Sequence, residues 1–300
     1  MSSRRRSRAI LRAAWQTLRR NPRLLWFSAL LGVVSMALTS VGAVLGWLGL
    51  QAVPWLGAQG FGEPPEASLV GRAAIGVGLF LWFGTHLVAP YFGVALATAT
   101  IEALASRTFG VGASLRAANR RLAGIATYAV LDASVGALLA RMRGDATKAG
   151  RKPARGSPLA AKLLGFAWGT ATYLVVPVLA REPRGGLAAL GRSTALMRQT
   201  WKEAFVGRLV LGWVLWPAAL VALGALSLLV FVGITPFAQP VLFGVAAALS
   251  VAAYVAIAVV AHTLDTVYRC ALYVFATEGV VPEPFQGPEL DEIWAVRPGS

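Results

Sequence analysis

The sequence predicts an all-α chain, a polytopic transmembrane helical bundle. Six membrane segments form two long hairpins that flank a short central hairpin, with basic interfacial helices beside them. Three observations predict it. Of 300 residues, 57% are hydrophobic and 14% charged, against about 25% charged in an average soluble protein. Uncharged runs long enough to cross a bilayer recur along the chain. The net charge of +15 is spread over the short stretches between those runs, so it is not a nucleic-acid footprint. This composition excludes a cytosolic enzyme, a disordered chain and a disulfide-stapled secreted domain. The scarcity of Lys beside Arg, with abundant Ala and Gly, points to a GC-rich prokaryotic genome.

A helix needs about 20 apolar residues to cross a hydrocarbon core about 30 Å thick. The first segment, 24–50, has no Asp, Glu, Lys or Arg from Leu24 to Leu50. A signal peptide has an apolar core of only about 7–15 residues, so this run reads as a retained first helix. Gln51–Ser68, with Pro54, Pro64 and Pro65, reads as a loop. The second segment, 73–101, is uncharged from Ala73 to Ile101. Two weaker segments follow. Segment 122–140 carries Asp132 near its middle. Segment 158–180 is uncharged only from Leu163 to Ala180, with Lys162 before it and Pro177 near its end. The stretch Leu209–Leu264 is uncharged throughout; as one helix it would be about 84 Å long, so it must fold back. Pro236 and Pro240 divide it into 209–233 and 241–264, the last running on as helix to about Thr277. The organisation is a basic segment 1–23, one transmembrane domain 24–278, and a Pro-rich acidic tail 279–300.

Basic short loops stay cytoplasmic. The stretches before Arg23, from Glu102 to Arg121 and from Arg181 to Arg208 are Arg-rich, whereas Gln51–Ser68 and Thr235–Pro240 hold no basic residue. This pattern places both termini in the cytoplasm and the chain in a plasma (inner) membrane. The loop Arg141–Ser157 carries six basic residues yet falls outside if all six segments cross. The alternative is a central pair that re-enters without crossing, leaving four full spans.

Ser7–Arg20 sets Ile10, Leu11, Ala14, Trp15 and Leu18 on one face and Arg8, Arg12 and Arg19 on the other. That is an interfacial helix, with Arg4, Arg5, Arg6, Arg8 and Arg12 toward anionic headgroups of the lipid bilayer. A second such helix is expected over Leu187–Glu203, with Leu187, Leu190, Thr194, Met197 and Trp201 in one stripe. A basic helix with a Trp therefore precedes each long hairpin, a rough internal echo of two halves. Gly42 and Gly46 have the spacing of a helix-dimerisation motif, a weak signal in a chain with 32 Gly.

Ionisable residues within membrane segments are candidate functional groups. They are His86, Asp132, His262 and Asp265. His262 and Asp265 share a helix face and suit a proton relay or a cation site. Asp265 also precedes Arg269 by four residues, the favourable order for a helix-surface pair. His86 can bond a neighbouring helix. Asp132 sits in a water-filled cavity, pairs with Lys162, or marks a segment that stops short of the bilayer centre. No cofactor, metal ion or nucleic acid is implied: there are two His and one Cys, and neither a phosphate-binding Gly-rich loop nor a Ser elbow is present. Cys270 reads as a small buried hydrophobe.

Several motifs occur together. They are Ala14–Phe27 with Trp15; Tyr91–Leu96; Val176-Pro177-Val178-Leu179 and Glu182; Ala189–Ser193 with Arg192 and Ser193; Thr200–Glu203 with Trp201; and Ala271–Phe285 with Tyr273 and Gly279. In this order, over about Trp15–Phe285, the chain resembles an uncharacterised family of prokaryotic multi-span membrane proteins, a domain of unknown function. The middle motif is also similar to the membrane region of some glycerophosphodiester phosphodiesterases, whose soluble catalytic domain has no counterpart here. Ser28, Gly93 and Lys202 depart from the family, which tends to have Pro, Asn and Gly there. The resemblance implies six helices and no established activity. The functional expectation is a non-enzymatic membrane scaffold or accessory protein with membrane-protein partners. A small-solute or lipid transporter using Asp132 with His86 and His262 is the alternative, and a membrane-bound enzyme the third.

Overall fold

The computed structural model describes residues 3–58, 69–143, 158–199, 224, 240–287 and 294. Among them it is helical without strands. The helices are α1 (Ser3–Arg20), α2 (Leu25–Ala58), α3 (Leu69–Leu104), α4 (Val111–Arg120), α5 (Leu122–Arg143), α6 (Pro158–Ala171), α7 (Val175–Arg181), α8 (Gly186–Gln199) and α9 (Pro240–Glu278). Short 3-10 turns cover Pro22–Leu24 and Glu283–Phe285. Five runs are long and apolar enough to cross a membrane: Pro22–Leu45, Gly76–Leu104, Leu122–Met142, Leu159–Arg181 and Ala248–Glu278. The expected segment 209–233, Trp201, the turn 235–239 and loop residues 144–157 lie outside the described residues.

Three helices are longer than a bilayer crossing requires. α2, α3 and α9 have 34, 36 and 39 residues, about 50–58 Å at 1.5 Å per residue. The hydrocarbon core is about 30 Å. Their packing is uneven along that length. α3 meets α2, α4, α5, α7 and α9, and its final turns are sealed, with Val94, Ala95, Leu96, Ala97 and Ala99 fully buried. The facing half of α9 buries Val267, Tyr268, Cys270, Ala271 and Leu272. Cys270 Sγ lies 3.8 Å from the Ala97 carbonyl oxygen, a contact that only small residues allow. Ser28 and Thr263 hydroxyls, 2.7 Å apart, join α2 to α9. Farther from this end, α2 exposes Val33, Met36, Val41 and Val44, and α9 exposes Leu249, Val251 and Val255.

The charged residues of three separate stretches meet at the sealed end. Arg20 of α1 bonds Glu283 at 2.6 Å. Glu102 at the end of α3 takes Arg181 at 3.3 Å and Arg107 at 3.6 Å. The Arg-rich stretches read as cytoplasmic thus share one face of the bundle.

Several expectations are corrected. The helix of the first segment does not stop at Leu50 but includes Gln51–Ala58, residues read as loop. α4 forms within a stretch taken only as a basic loop. α1 packs against α9 and the Glu283–Phe285 turn; its buried face is Ala9, Ile10, Ala13, Ala14, Thr17 and Leu18, and Trp15 is exposed. Its apolar face therefore meets protein rather than the acyl boundary. α8 buries Gly186, Ala189, Ser193, Leu196 and Met197, while Leu187 is 63% exposed. In both helices the bulky residues suggested the wrong centre for the buried face. Small residues let helices approach closely: a Cβ on Gly186 would stand 2.5 Å from the Tyr128 backbone nitrogen. Gly42 is likewise used within the chain, against Leu81 of α3. The tail is anchored too, with Phe285 and Trp294 buried beside Tyr268 and Phe275.

The largest correction is in segment 158–180, which is two helices. The break at Thr172–Leu174 precedes Pro177, whose ring removes the N–H that would bond the Tyr173 carbonyl. Ser193 closes the break. Its hydroxyl donates to the Ala171 carbonyl at 2.7 Å and accepts from the Leu174 N–H at 3.1 Å. Ser193 is fully buried, so no water substitutes. We predict that Ser193→Ala destabilises the detergent-solubilised chain by about 1–3 kcal/mol, the cost of stranding buried polar groups. Ser134→Ala, at an exposed hydroxyl that bonds only its own helix, is expected to change stability by less than about 0.5 kcal/mol. Thermal unfolding of the two variants checks this.

Candidate functional site: a polar cavity among four helices

α3, α5, α7 and α9 line a cavity of about 320 Å³ that is open on one side. His86, Asp132 and His262 all line it, from three different helices, with Thr85, Tyr128, Thr266 and Arg269. Its apolar wall includes Ala89, Pro90, Gly93, Val176 and Pro177. The sequence pattern singled out the first three without indicating that they meet. They lie well inside the bundle. Asp132 is ten residues from the start of α5, or about 15 Å, and His262 is sixteen from the end of α9, or about 24 Å.

Each polar group is held differently. Asp132 Oδ1 accepts a 2.8 Å hydrogen bond from the Trp168 indole of α6. Lys162, the partner considered from sequence, is exposed on α6. Among the described residues His86 bonds only its own helix; its Nδ1 lies 2.8 Å from the Trp82 carbonyl of α3, and its ring sits 4.7 Å from the Trp82 ring. Pro90, four residues on, has no N–H to give the His86 carbonyl. The Nε2 of His262 is buried with no hydrogen-bond partner among the described residues.

Asp265 lies within α9, which runs on past the 241–264 segment to Glu278 as expected. It is absent from the cavity wall, and it forms the expected i,i+4 pair with Arg269 at 2.5 Å. Arg269 does line the cavity, with its guanidinium carbon 4.6 Å from the Tyr173 ring centre. Its Nε is buried and has no hydrogen-bond partner among the described residues. Sequence reasoning missed Arg269 and Trp168 as site residues. Arg269 was read only as the partner of Asp265, and an indole carries no charge signal. Among the described residues no group of three or more His, Cys, Asp or Glu is placed to hold a metal ion.

The motif residues support this cavity from its charged end. Glu182, just after α7, accepts from Arg192 at 3.2 Å, from the Tyr273 hydroxyl at 3.1 Å and from Arg184. It therefore ties α7, α8 and α9 together, and Pro177 on α7 forms part of the cavity wall. Gly279, at φ +69°, ends α9 in the left-handed conformation that suits glycine, its N–H on the Phe275 carbonyl at 2.9 Å. Trp15 lies on α1, apart from the cavity. Arg8 and Arg12 are exposed on that helix; the side chains of Arg4, Arg5 and Arg6 are outside the description.

Burial alone would raise the Glu182 carboxyl, but the hydrogen bonds from Arg184, Arg192 and Tyr273 outweigh it and hold the group below the usual carboxylate range. In the unfolded chain Glu182 returns to about 4.3. The folded state then binds fewer protons, so this cluster stabilises fully above that pH and progressively less as pH falls through the folded value. Thermal unfolding is expected to show a loss of stability on acidification through this range that is smaller in Glu182→Gln than in the native chain.

A comparison with curated proteins finds no match. A family model described as a family of unknown function (DUF6159) matches residues 73–282. That match takes in α3 to α9 and every wall of the cavity. With most of its length covered, the chain belongs to the family of unknown function DUF6159.

Proposed function

We propose that the chain is an integral membrane protein that binds and carries a small polar solute at the cavity among α3, α5, α7 and α9. The observation that supports it is the convergence of His86, Asp132 and His262 from three helices on one cavity, with Arg269 beside them. A bundle built only as a scaffold gains nothing from such groups, because polar atoms in apolar surroundings are costly unless partnered. The break between α6 and α7 adds to this reading. Irregular backbone at membrane depth is tolerated where protein buries it or where it lines a cavity, and discontinuous helices are a frequent element of transporter binding sites.

The same reading places the chain in a plasma membrane with six spans, 209–233 among them, and both termini cytoplasmic. The basic face of α1, with Arg8 and Arg12 exposed, would then rest on anionic headgroups. The protein is non-enzymatic in this account. Asp132 is engaged by Trp168 and Asp265 by Arg269, and among the described residues no nucleophile with an adjacent base accompanies them. The exposed apolar face of α2 suits lipid as well as a protein partner, so a scaffold role has no observation of its own.

The test is a deletion strain profiled for metabolites and lipids. The native gene is expected to restore the altered profile. Asp132→Asn, whose amide oxygen can still accept from Trp168, is expected to insert normally and fail to restore it. Full restoration by the Asn variant would overturn the transport reading.

A further inference from the structure

The charges around the cavity do not balance, and the imbalance narrows what can bind. Arg269 and Asp265 neutralise each other at 2.5 Å. Asp132 receives one hydrogen bond, from the neutral indole of Trp168, and meets no cation among the described residues. Ionised, it leaves the cavity one positive charge short. At the same wall the Arg269 Nε–H is buried and still unpartnered. The cavity thus offers a carboxylate with acceptor capacity to spare and a guanidinium with a donor to spare.

A ligand with only one charge satisfies only one of these. A simple ammonium would compensate Asp132, yet it would face the guanidinium and leave its N–H stranded. A simple carboxylate or phosphate would take the Arg269 donor and face Asp132. Both mismatches set a like charge against the ligand in a site only partly open to solvent. A group carrying both charges answers both demands. The cavity volume, about 320 Å³, lies at the small end of the range of about 300–1,000 Å³ for small-molecule sites. Ala89, Pro90 and Val176 supply an apolar wall for a short hydrocarbon part.

We propose that the cavity binds a zwitterion, its ammonium group against Asp132 and its carboxylate or phosphate against the Arg269 guanidinium. This rests on the reading of the cavity as a solute site. The chemistry is shared by free α-amino acids and by the ethanolamine phosphate headgroup of a lipid.

The experiment uses the full chain in nanodiscs of phosphatidylglycerol and reads the midpoint of thermal unfolding. Four additions are compared: a mixture of α-amino acids, the matching primary amines, the matching carboxylic acids, and phosphatidylethanolamine replacing part of the lipid. A rise of several degrees with the amino acids, or with phosphatidylethanolamine, and no rise with amines or acids alone is expected. Which of the two raises it identifies the source. The rise is expected to fall below one degree in Asp132→Asn and in Arg269→Gln, and to survive in Ser134→Ala, whose exposed hydroxyl lies off the cavity wall. If Arg269→Gln fails to fold, the comparison of zwitterion with amine and acid in the native chain still decides. An equal rise with amines or acids alone, lost in Asp132→Asn, would overturn the zwitterion and leave the solute site standing. No rise with any addition would overturn the zwitterion too. The solute-site reading falls separately, if Asp132→Asn restores the deletion strain.

Discussion

The two hydrogen bonds of Ser193 are the interaction on which the architecture of the site depends. A helix that breaks among apolar side chains strands backbone carbonyls and N–H groups, and no bulk water is there to take them. Ser193 satisfies one of each at the Ala171–Leu174 break. With that break closed, Trp168 can end α6 facing Asp132 while Val176 and Pro177 begin α7 at the cavity wall. An unbroken helix over 158–180 would carry those residues on one continuous spiral. The hydroxyl also explains why α8 lies so close: Gly186 and Ala189 bring its backbone onto α5 and α7, within reach of the break.

The rest of the charged end holds this geometry. Glu182 connects the α7 terminus to Arg192 of α8 and Tyr273 of α9. Glu102 connects α3 to Arg181, and Arg20 connects α1 to the tail. The exposed Arg20–Glu283 pair contributes little, about 0–1 kcal/mol. The role of these contacts is positional, since each joins elements distant in sequence at one face. Beyond that face the bundle loosens into helices with exposed apolar sides. The cavity lies between, where α3 and α9 stop packing closely and polar side chains take the place of Ala and Cys.

Much of the helical order was legible because it rests on composition alone. Four of the five apolar runs coincide closely with expected segments, and the last was expected to continue as helix to about Thr277, where α9 indeed ends one residue later. Helix rotation was not legible. Ile10, Leu11 and Trp15 mark an apolar face, but in a bundle that small residues knit together the buried face is centred on Ala13 and Ala14, and Trp15 turns outward. The α8 stripe through Leu187 failed for the same reason. The individual site residues His86, Asp132 and His262 were legible because charge at membrane depth is costly. Their convergence was not, as it depends on how α3, α5 and α9 are rotated about one another. Trp168 and the unpaired Nε of Arg269 carried no signal in sequence.

The central claim is that this cavity admits water-soluble groups at a depth where the outer surface of the bundle is apolar. Cysteine accessibility tests it most directly. In a chain with Cys270 replaced by Ala, single cysteines at Thr85, on the cavity wall, and at Val33, on the exposed apolar side of α2, are treated in membranes with a small charged thiol reagent. The account predicts modification at Thr85→Cys and none at Val33→Cys. Protection of both positions, with the variants folded and inserted, would contradict it.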